Sequence, residues 1–357
     1  MKSQIGWYTL GAGILCAGLT AGSGACRADG DTPNATTTGP GTGGGATTGV
    51  NAGGATSGVN VGGAGGAGGG AGGSTCGDGA EVFTIQDVTT DQVGPGVDVK
   101  LVGVVAMSKK FLVNYSKSSG SCLWGVFVSA PGLAETAPNS GLVVKSYGDD
   151  ASIPAGGTEA ACPKLAEGPV GDAIPDDVQP GDVLDIVGES STFPTASLMT
   201  MYCTNPGDTT IPGREVAFVC SAVKTGTAPV PAPHVPTPAE MDKFMDPSDD
   251  AFHAQWTGVR LRLADVTPAT IPLVINKGII TLSEGNVEVG DELYWVSDMS
   301  PNLCERGPVY MTNPPSMWSR IDGFHYLNFC RWGIQPFDKC ADFDPRSEDC
   351  PSATACQ

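Results

Sequence analysis

The cysteines are the residues whose spacing most clearly indicates chemistry. The chain has 12 Cys, of which Cys16 and Cys26 lie in or next to an apolar N-terminal segment. No pair has the C-x2-C spacing of a zinc site. In an exported chain the remaining cysteines, an even number, predict disulfides whose pairing stays open, with Cys203–Cys220 and pairs within the C-terminal tail as examples. These ten are Cys76, Cys122, Cys162, Cys203, Cys220, Cys304, Cys330, Cys340, Cys350 and Cys356.

Residues for acid–base or nucleophilic catalysis are sparse. The three histidines, His234, His253 and His325, have neither H-E-x-x-H nor H-x-H spacing, and no G-x-S-x-G motif follows the N-terminal segment. General-base chemistry would therefore fall to carboxylates. No cofactor is predicted. The acidic clusters could offer oxygen ligands to calcium, but none has a D-x-D-x-D-G loop, so solvated surface is the favoured interpretation. These clusters are residues 149–150, 246–250 and 342–344.

The N-terminus has the order of a secretory signal. Lys2 precedes an apolar run from Ile5 to about Ala21, and small residues follow, which predicts a signal peptide over residues 1–25. Cys26 follows Ser-Gly-Ala, which resembles the lipobox of bacterial lipoproteins. Lipidation of Cys26 would leave an even number of cysteines, so a lipidated Cys26 is predicted. Ordinary cleavage after Ala25, which releases the protein, remains the alternative.

Residues 26–75 consist largely of Gly, Thr and Ala. Such a segment buries too little apolar surface to offset its ordering entropy, so a disordered tether is predicted. The whole chain has 19 basic and 38 acidic residues, a formal net charge of −19. Because nucleic-acid binding depends on Lys and Arg contacts to phosphate, this charge argues against a nucleic-acid partner.

The rest of the chain has the pattern of an all-β protein. Short alternating apolar runs are separated by Gly, Pro, Asp and Asn, for example at residues 97–107, 123–129 and 258–266. A proline-rich connector at 229–238 divides the chain, and Thr237 with Glu240 forms a capping box that predicts a short helix to about Met245.

One ten-residue phrase occurs twice in this part. Residues 178–187 read VQPGDVLDIV and residues 287–296 read VEVGDELYWV, and in both the Gly-Asp pair predicts a turn that runs into a strand. Further matching motifs are VKLVGVVAM at 99–107, GVFVS at 125–129, WTGVRLRLADVT at 256–267 and the closing IDGFHY at 321–326. Their order resembles the tandem OB-fold-like repeats of secreted, myxobacterial-type lipoproteins, which are related to modules found beside extracellular nucleases.

The resemblance implies two tandem OB-like β-barrels, stapled by disulfides. The first is expected at 76–235 with an insertion at about 130–176, the second at 236–345, and a disulfide-pinned tail at 346–357. OB folds bind extended chains across their second and third strands, often by stacking. The aromatic candidates for this role are Tyr115, Trp124, Tyr294 and Trp295; the last two point to opposite faces, and core packing is the alternative for all.

These features predict a monomeric lipoprotein of the outer membrane, attached through its lipid alone, or a released extracellular form. The favoured function is a non-catalytic binding or scaffolding module for a glycan or an envelope protein. A hydrolase, with converging carboxylates and calcium in or near residues 130–176, is the alternative from another class, as is a nuclease-associated accessory protein.

Overall fold

The computed structural model describes residues 76–77, 79–115, 120–153, 160–205, 207–269, 280–283, 287–290, 315–328, 330–338 and 341–345. The predicted signal peptide, Cys26, the Gly-rich segment and residues 346–357 lie outside this part, as do Tyr294 and Trp295. The described residues are mostly β-sheet, which confirms the predicted class at that level. None of the helices within them is long and apolar enough to cross a membrane.

The strands form two sheets with short helices between them. The first sheet contains β1 (Glu81–Phe83), β2 (Asp98–Ala106), β3 (Phe111–Tyr115), β4 (Ser121–Ser129), β5 (Gly141–Asp150), β6 (Asp182–Phe193) and β7 (Gly213–Thr227). The second contains β8 (Arg260–Val266), β9 (Ile280–Thr281), β10 (Glu288–Val289), β11 (Trp318–Asn328), β12 (Arg331–Gln335) and β13 (Phe343–Asp344). The helices are α1 (Ile85–Thr89), α2 (Ala196–Tyr202), α3 (Pro238–Phe244), α4 (Asp250–Gln255) and a 3-10 turn at Leu165–Glu167.

Five strands of the first sheet pair in a closed circuit. β2 pairs with β6, β6 with β7, β7 with β5 and β5 with β4, and β4 returns to β2. All these pairings are antiparallel except β5–β7, which is parallel. The alternating apolar residues Val126, Val128, Leu142 and Val144 point into a buried core shared with β2, β6 and β7.

The described strands of the second sheet repeat this order of pairings. β8 pairs with β11, β11 with β12, β12 with β10 in parallel, and β10 with β9. An antiparallel bridge between Pro268 and Leu282 leads from β9 back to the end of β8. The core of this sheet is separate and contains Trp256, Trp318 and Phe343.

The two copies of the repeated phrase occupy different positions in these circuits. The first copy makes a turn at Gly181, where φ is +94°, and runs into β6, the fourth strand of its circuit. In the second copy Glu288 and Val289 precede the Gly-Asp pair and form β10, the third strand of its circuit. Residues 291–296 lie outside the described part. In the described residues, the first copy thus leads into the fourth strand of its circuit, and the second copy contains the third.

The segment at about 130–176, predicted as an insertion, is in part a strand of the first sheet. It contains β5, whose residues 141–150 pair with both β4 and β7, so this segment supplies a strand of the circuit. Only the flanking stretches leave the sheet.

The two sheets pack against each other. Phe127 of β4 stacks on Phe324 of β11 with ring centroids 4.1 Å apart. At Gly141 an added Cβ would lie 2.3 Å from the carbonyl oxygen of Gly258, so the two backbones touch and neither position has room for a side chain. The proline-rich connector binds both sides: the Ala232 N–H donates to the Ala134 carbonyl and the His234 N–H to the Arg260 carbonyl.

Three disulfides are present among the described residues: Cys76–Cys220, Cys122–Cys162 and Cys203–Cys330. The suggested local pair Cys203–Cys220 is wrong, because each of these cysteines bonds to a distant one. Cys203–Cys330 joins the segment before β7 to the turn between β11 and β12, and so links the two sheets. Cys304, Cys340, Cys350 and Cys356 lie outside the described residues.

Candidate functional site

Of the four predicted stacking residues, the structure describes the side chain of Trp124 alone. Trp124 is fully buried beside the Cys122–Cys162 disulfide and Val170, which is the core-packing alternative. Tyr115 lies at the end of β3, and its side chain is outside the described part, as are Tyr294 and Trp295.

A different aromatic pair is exposed on the first sheet. Tyr147 of β5 and Phe218 of β7 are 43% and 54% exposed. Their rings stack with centroids 5.4 Å apart and an interplanar angle of 30°. Aromatic side chains carry large apolar surface and are mostly covered in folded proteins, so two large rings stacked in solvent mark a surface suited to a ligand.

Phe218 reaches this surface because β7 is bulged. Val187 of β6 pairs with Ser221, whereas Glu189 pairs with Ala217, so residues 218–220 lie opposite Gly188 alone. At Gly188 an added Cβ would lie 2.9 Å from the Ala217 carbonyl oxygen, so the bulge needs glycine beneath it. Bulges next to binding sites re-aim side chains, and this one turns Phe218 outwards.

The backbone of Phe218 is itself unusual. Its φ is +49°, in the left-handed region that bulky residues rarely adopt because Cβ approaches the neighbouring carbonyl. Strained conformations of this kind persist where the surrounding structure fixes them, and they cluster at functional sites.

A buried hydroxyl and a disulfide hold the bulge in place. The Ser146 hydroxyl of β5 donates to the Val219 carbonyl at 2.8 Å and accepts from the Ala173 N–H at 3.0 Å. On the other side, Cys220 is covalently joined to Cys76. The bulge is thus tied to β5, to the loop at 170–177 and to the start of the described chain.

The loop at 170–177 is held by a buried lysine. The Lys110 ammonium donates to the Ile174 carbonyl at 2.8 Å, to Asp176 at 2.5 Å and to Asp172. Burial raises the pKa of Asp172, while its bond to Lys110 acts in the opposite direction. Because Lys110 binds both carboxylates, they anchor the loop rather than form the free acid pair that a hydrolase requires.

Charged residues share the outer face of β5 with Tyr147. Side chains alternate along the strand, so Lys145, Tyr147 and Asp149 point the same way. Lys145 is buried and lies 2.5 Å from Glu215 of β7. Burial would lower the pKa of Lys145, but Glu215 and Tyr326 together raise it above its ordinary value. Asp149 is exposed, so this strand face also carries a carboxylate two residues from Tyr147.

The acidic clusters form no metal cage among the described residues, where no group of three or more His, Cys, Asp or Glu side chains could hold an ion. Asp246 accepts from Ser248 at the start of a turn. Asp342 pairs with Arg260 and accepts from the Phe337 and Asp338 N–H groups. These carboxylates have structural partners.

The second sheet buries two of the histidines. His253 Nδ1 lies 3.0 Å from His325 Nε2, and both rings stack with Trp332. His253 Nε2 must donate to the Asp246 carbonyl at 2.9 Å, so its Nδ1 accepts the Nε2–H of His325. Burial lowers the pKa of both imidazoles. Neutral, covered histidines of this kind serve the core.

A scan against protein-family models, a search of curated proteins and a search of solved structures each gave no match. The basis for assigning a function is therefore the geometry of the chain itself.

Proposed function

We propose that the protein is an exported, non-catalytic binding module whose ligand lies across Tyr147 and Phe218 on the outer face of the first sheet. The single observation that supports this most strongly is the exposed, stacked ring pair on a strained and well-anchored bulge. Backbone strain at a surface residue costs stability, so it supports a role for the position of the side chain.

We further propose that each five-strand circuit is an OB-like barrel. OB folds are five-stranded, partly open Greek-key barrels that bind oligosaccharides and oligonucleotides on the face of strands two and three. In the first circuit these strands are β4 and β5. Phe324 of the second sheet stacks over one end of this face, whereas Tyr147 and its β4 partner Leu123 lie at the other end. The open end is where a ligand would have access.

The proposed ligand is a glycan. A sugar ring has an apolar face that fits an aromatic ring, and its hydroxyl groups can donate to a carboxylate such as Asp149. The net charge of −19 disfavours a nucleic acid on the same surface. The proposed location is the cell envelope, with a lipid on Cys26 and residues 26–75 as a tether; disulfides fit an oxidising compartment of this kind.

The test is a binding titration of the oxidised full-length chain with peptidoglycan-derived and neutral oligosaccharides, followed by thermal shift and calorimetry. A ligand that binds the native state raises the melting temperature with its concentration. Phe218→Ala should weaken binding roughly tenfold, the loss of one stacking ring with its buried area.

Val223→Ala is the matched control, because Val223 is an equally exposed apolar residue of the same strand, at 53%. It should bind as the wild type does. The absence of binding to any oligosaccharide, or equal affinity of the Phe218→Ala variant, would overturn the proposed site. Cleavage of an oligosaccharide during the titration would overturn the non-catalytic assignment.

A further inference from the structure

A continuous chain of buried and partly buried hydrogen bonds links Lys110 to the aromatic pair. Lys110 holds the loop at 170–177 through the Ile174 carbonyl and two aspartates. In that loop the Ala173 N–H donates to the Ser146 hydroxyl at 3.0 Å. The same hydroxyl donates to the Val219 carbonyl at 2.8 Å, directly after Phe218.

The position of Ser146 makes this link specific. Its side chain is fully buried, and it is adjacent in sequence to Tyr147, so one residue fixes both partners of the ring pair. A hydroxyl has one donor and two acceptor lone pairs, and here the donor fixes the bulge while one acceptor fixes the loop. Replacement of Ser146 by an apolar residue would leave two buried backbone groups unpaired.

The loop also shapes the floor of the site. At Gly148, which follows Tyr147, an added Cβ would lie 2.3 Å from the Val170 carbonyl oxygen and 3.2 Å from Asp172 Cβ. The loop backbone therefore lies directly against β5 beneath the ring pair. A displacement of the loop would be transmitted to both strands that carry the rings.

We infer that Ser146 is a positioning residue for the Tyr147–Phe218 pair, and that the Lys110-anchored loop presets the pair for its ligand through Ser146. The inference rests on the proposed function for what the pair binds. The ring geometry, however, can be measured without any ligand, so the two ideas can fail separately.

The experiment compares Ser146→Ala with the wild type in the full-length, disulfide-bonded chain. Amide hydrogen exchange at residues 217–220 should become at least about tenfold faster in the variant, because the bulge loses an anchoring bond. The nuclear Overhauser contact between the Tyr147 and Phe218 rings should be lost, and the affinity for any oligosaccharide that the wild type binds should fall by about the same factor.

Ser140→Ala is the matched control. Ser140 is also buried, directly precedes β5, and likewise makes two hydrogen bonds, to the carbonyl and the N–H of Ala137. This variant should speed exchange only near residues 134–141 and keep the ring contact. Equal effects of the two variants on the bulge would mean that Ser146 acts through general stability, and would overturn the inference.

A second measurement covers the case in which the Ser146→Ala variant does not fold. In the wild type, native-state exchange in low urea should open the amides of Ala173 and residues 218–220 as one unit. Separate opening would overturn the link. If the wild type binds no glycan but these amides still open together, the proposed function fails and the positioning role stands.

Discussion

The two sheets share one order of strand pairing but use their aromatic residues in opposite ways. The first sheet leaves Tyr147 and Phe218 stacked in solvent. In the described part of the second sheet the rings of Trp332 and Phe324 are covered, the first beside two histidines and the second against the first sheet. The same order of strand pairing therefore exposes two stacked rings in the first sheet, whereas in the second sheet Phe324 packs into the contact between the sheets.

The difference follows from position along the strands. β5 and β7 have 10 and 15 residues, and they extend past the area that the described part of the second sheet covers. Among the described residues, the second sheet thus covers one end of the outer face of β4 and β5 and leaves the other end open.

The largest expected effect on stability comes from removal of a covered ring. Phe324→Ala should lower the free energy of unfolding by about 3–5 kcal/mol, because a fully buried ring is lost from a packed interface. Phe218→Ala should cost less than about 1 kcal/mol, since most of its ring is already in solvent. Urea denaturation of both variants at equal disulfide content measures the two values.

A small loss for Phe324→Ala would mean that the sheets are only loosely docked, and a large loss for Phe218→Ala would mean that its ring supports the fold. Either result would remove the contrast between Phe324, whose ring supports the fold, and Phe218, whose ring is exposed to solvent. Phe127→Ala offers an independent check, because Phe127 is the stacking partner of Phe324 and should show a loss of similar size.

Much of the fold could be predicted from local pattern. The alternation at residues 97–107 and 258–266 located β2 and β8, and the capping box of Thr237 and Glu240 located α3. These features depend on residues close in sequence. The disulfide partners did not follow, because Cys76 and Cys220 are 144 residues apart and only the pairing of strands brings them together.

The aromatic site could not be predicted, for a physical reason. Simple alternation from Val216, which faces the core, would place Phe218 in the core as well. The bulge shifts this register, so that Val219 takes the core position and Phe218 turns out. That shift depends on Gly188 in one neighbouring strand and Ser146 in the other, neither of which marks the sequence around Phe218. Gly188 in β6 is the one sequence feature that indicates the bulge, since an isolated Gly within a strand suggests one.

A second prediction concerns the pH dependence of stability, to which histidines can contribute only outside the first sheet. All three histidines follow residue 233, so the first sheet has none. Burial lowers the pKa of both His253 and His325. For His253, the hydrogen bond to the Asp246 carbonyl and the nearby carboxylates of Asp250, Asp249 and Asp246 act in the opposite direction, but burial has the larger effect. The folded state therefore binds fewer protons than the unfolded state, in which histidine has a pKa of about 6.5.

The stability that depends on these two histidines is present above about pH 6.5 and is lost as the pH falls towards their lowered values. The expected slope is about 1.4 kcal/mol per pH unit for each histidine that takes up a proton on unfolding. Denaturation between pH 8 and 5 measures it. His325→Phe removes one of the two groups and should reduce the slope; an unchanged slope in that variant would show that the buried pair is not its source.

The smallest effect concerns the backbone that presents the exposed ring. Phe218→Gly should be more stable than Phe218→Ala by about 1 kcal/mol, because both lose the ring but only glycine adopts a φ of +49° without strain. At Val223, an exposed position of the same strand where φ is negative, the order should reverse, with glycine less stable than alanine by about 0.5–1 kcal/mol. Thermal denaturation of the four variants provides the comparison. If alanine were the more stable residue at both positions, Phe218 would carry no strain, and its exposure would need no functional explanation.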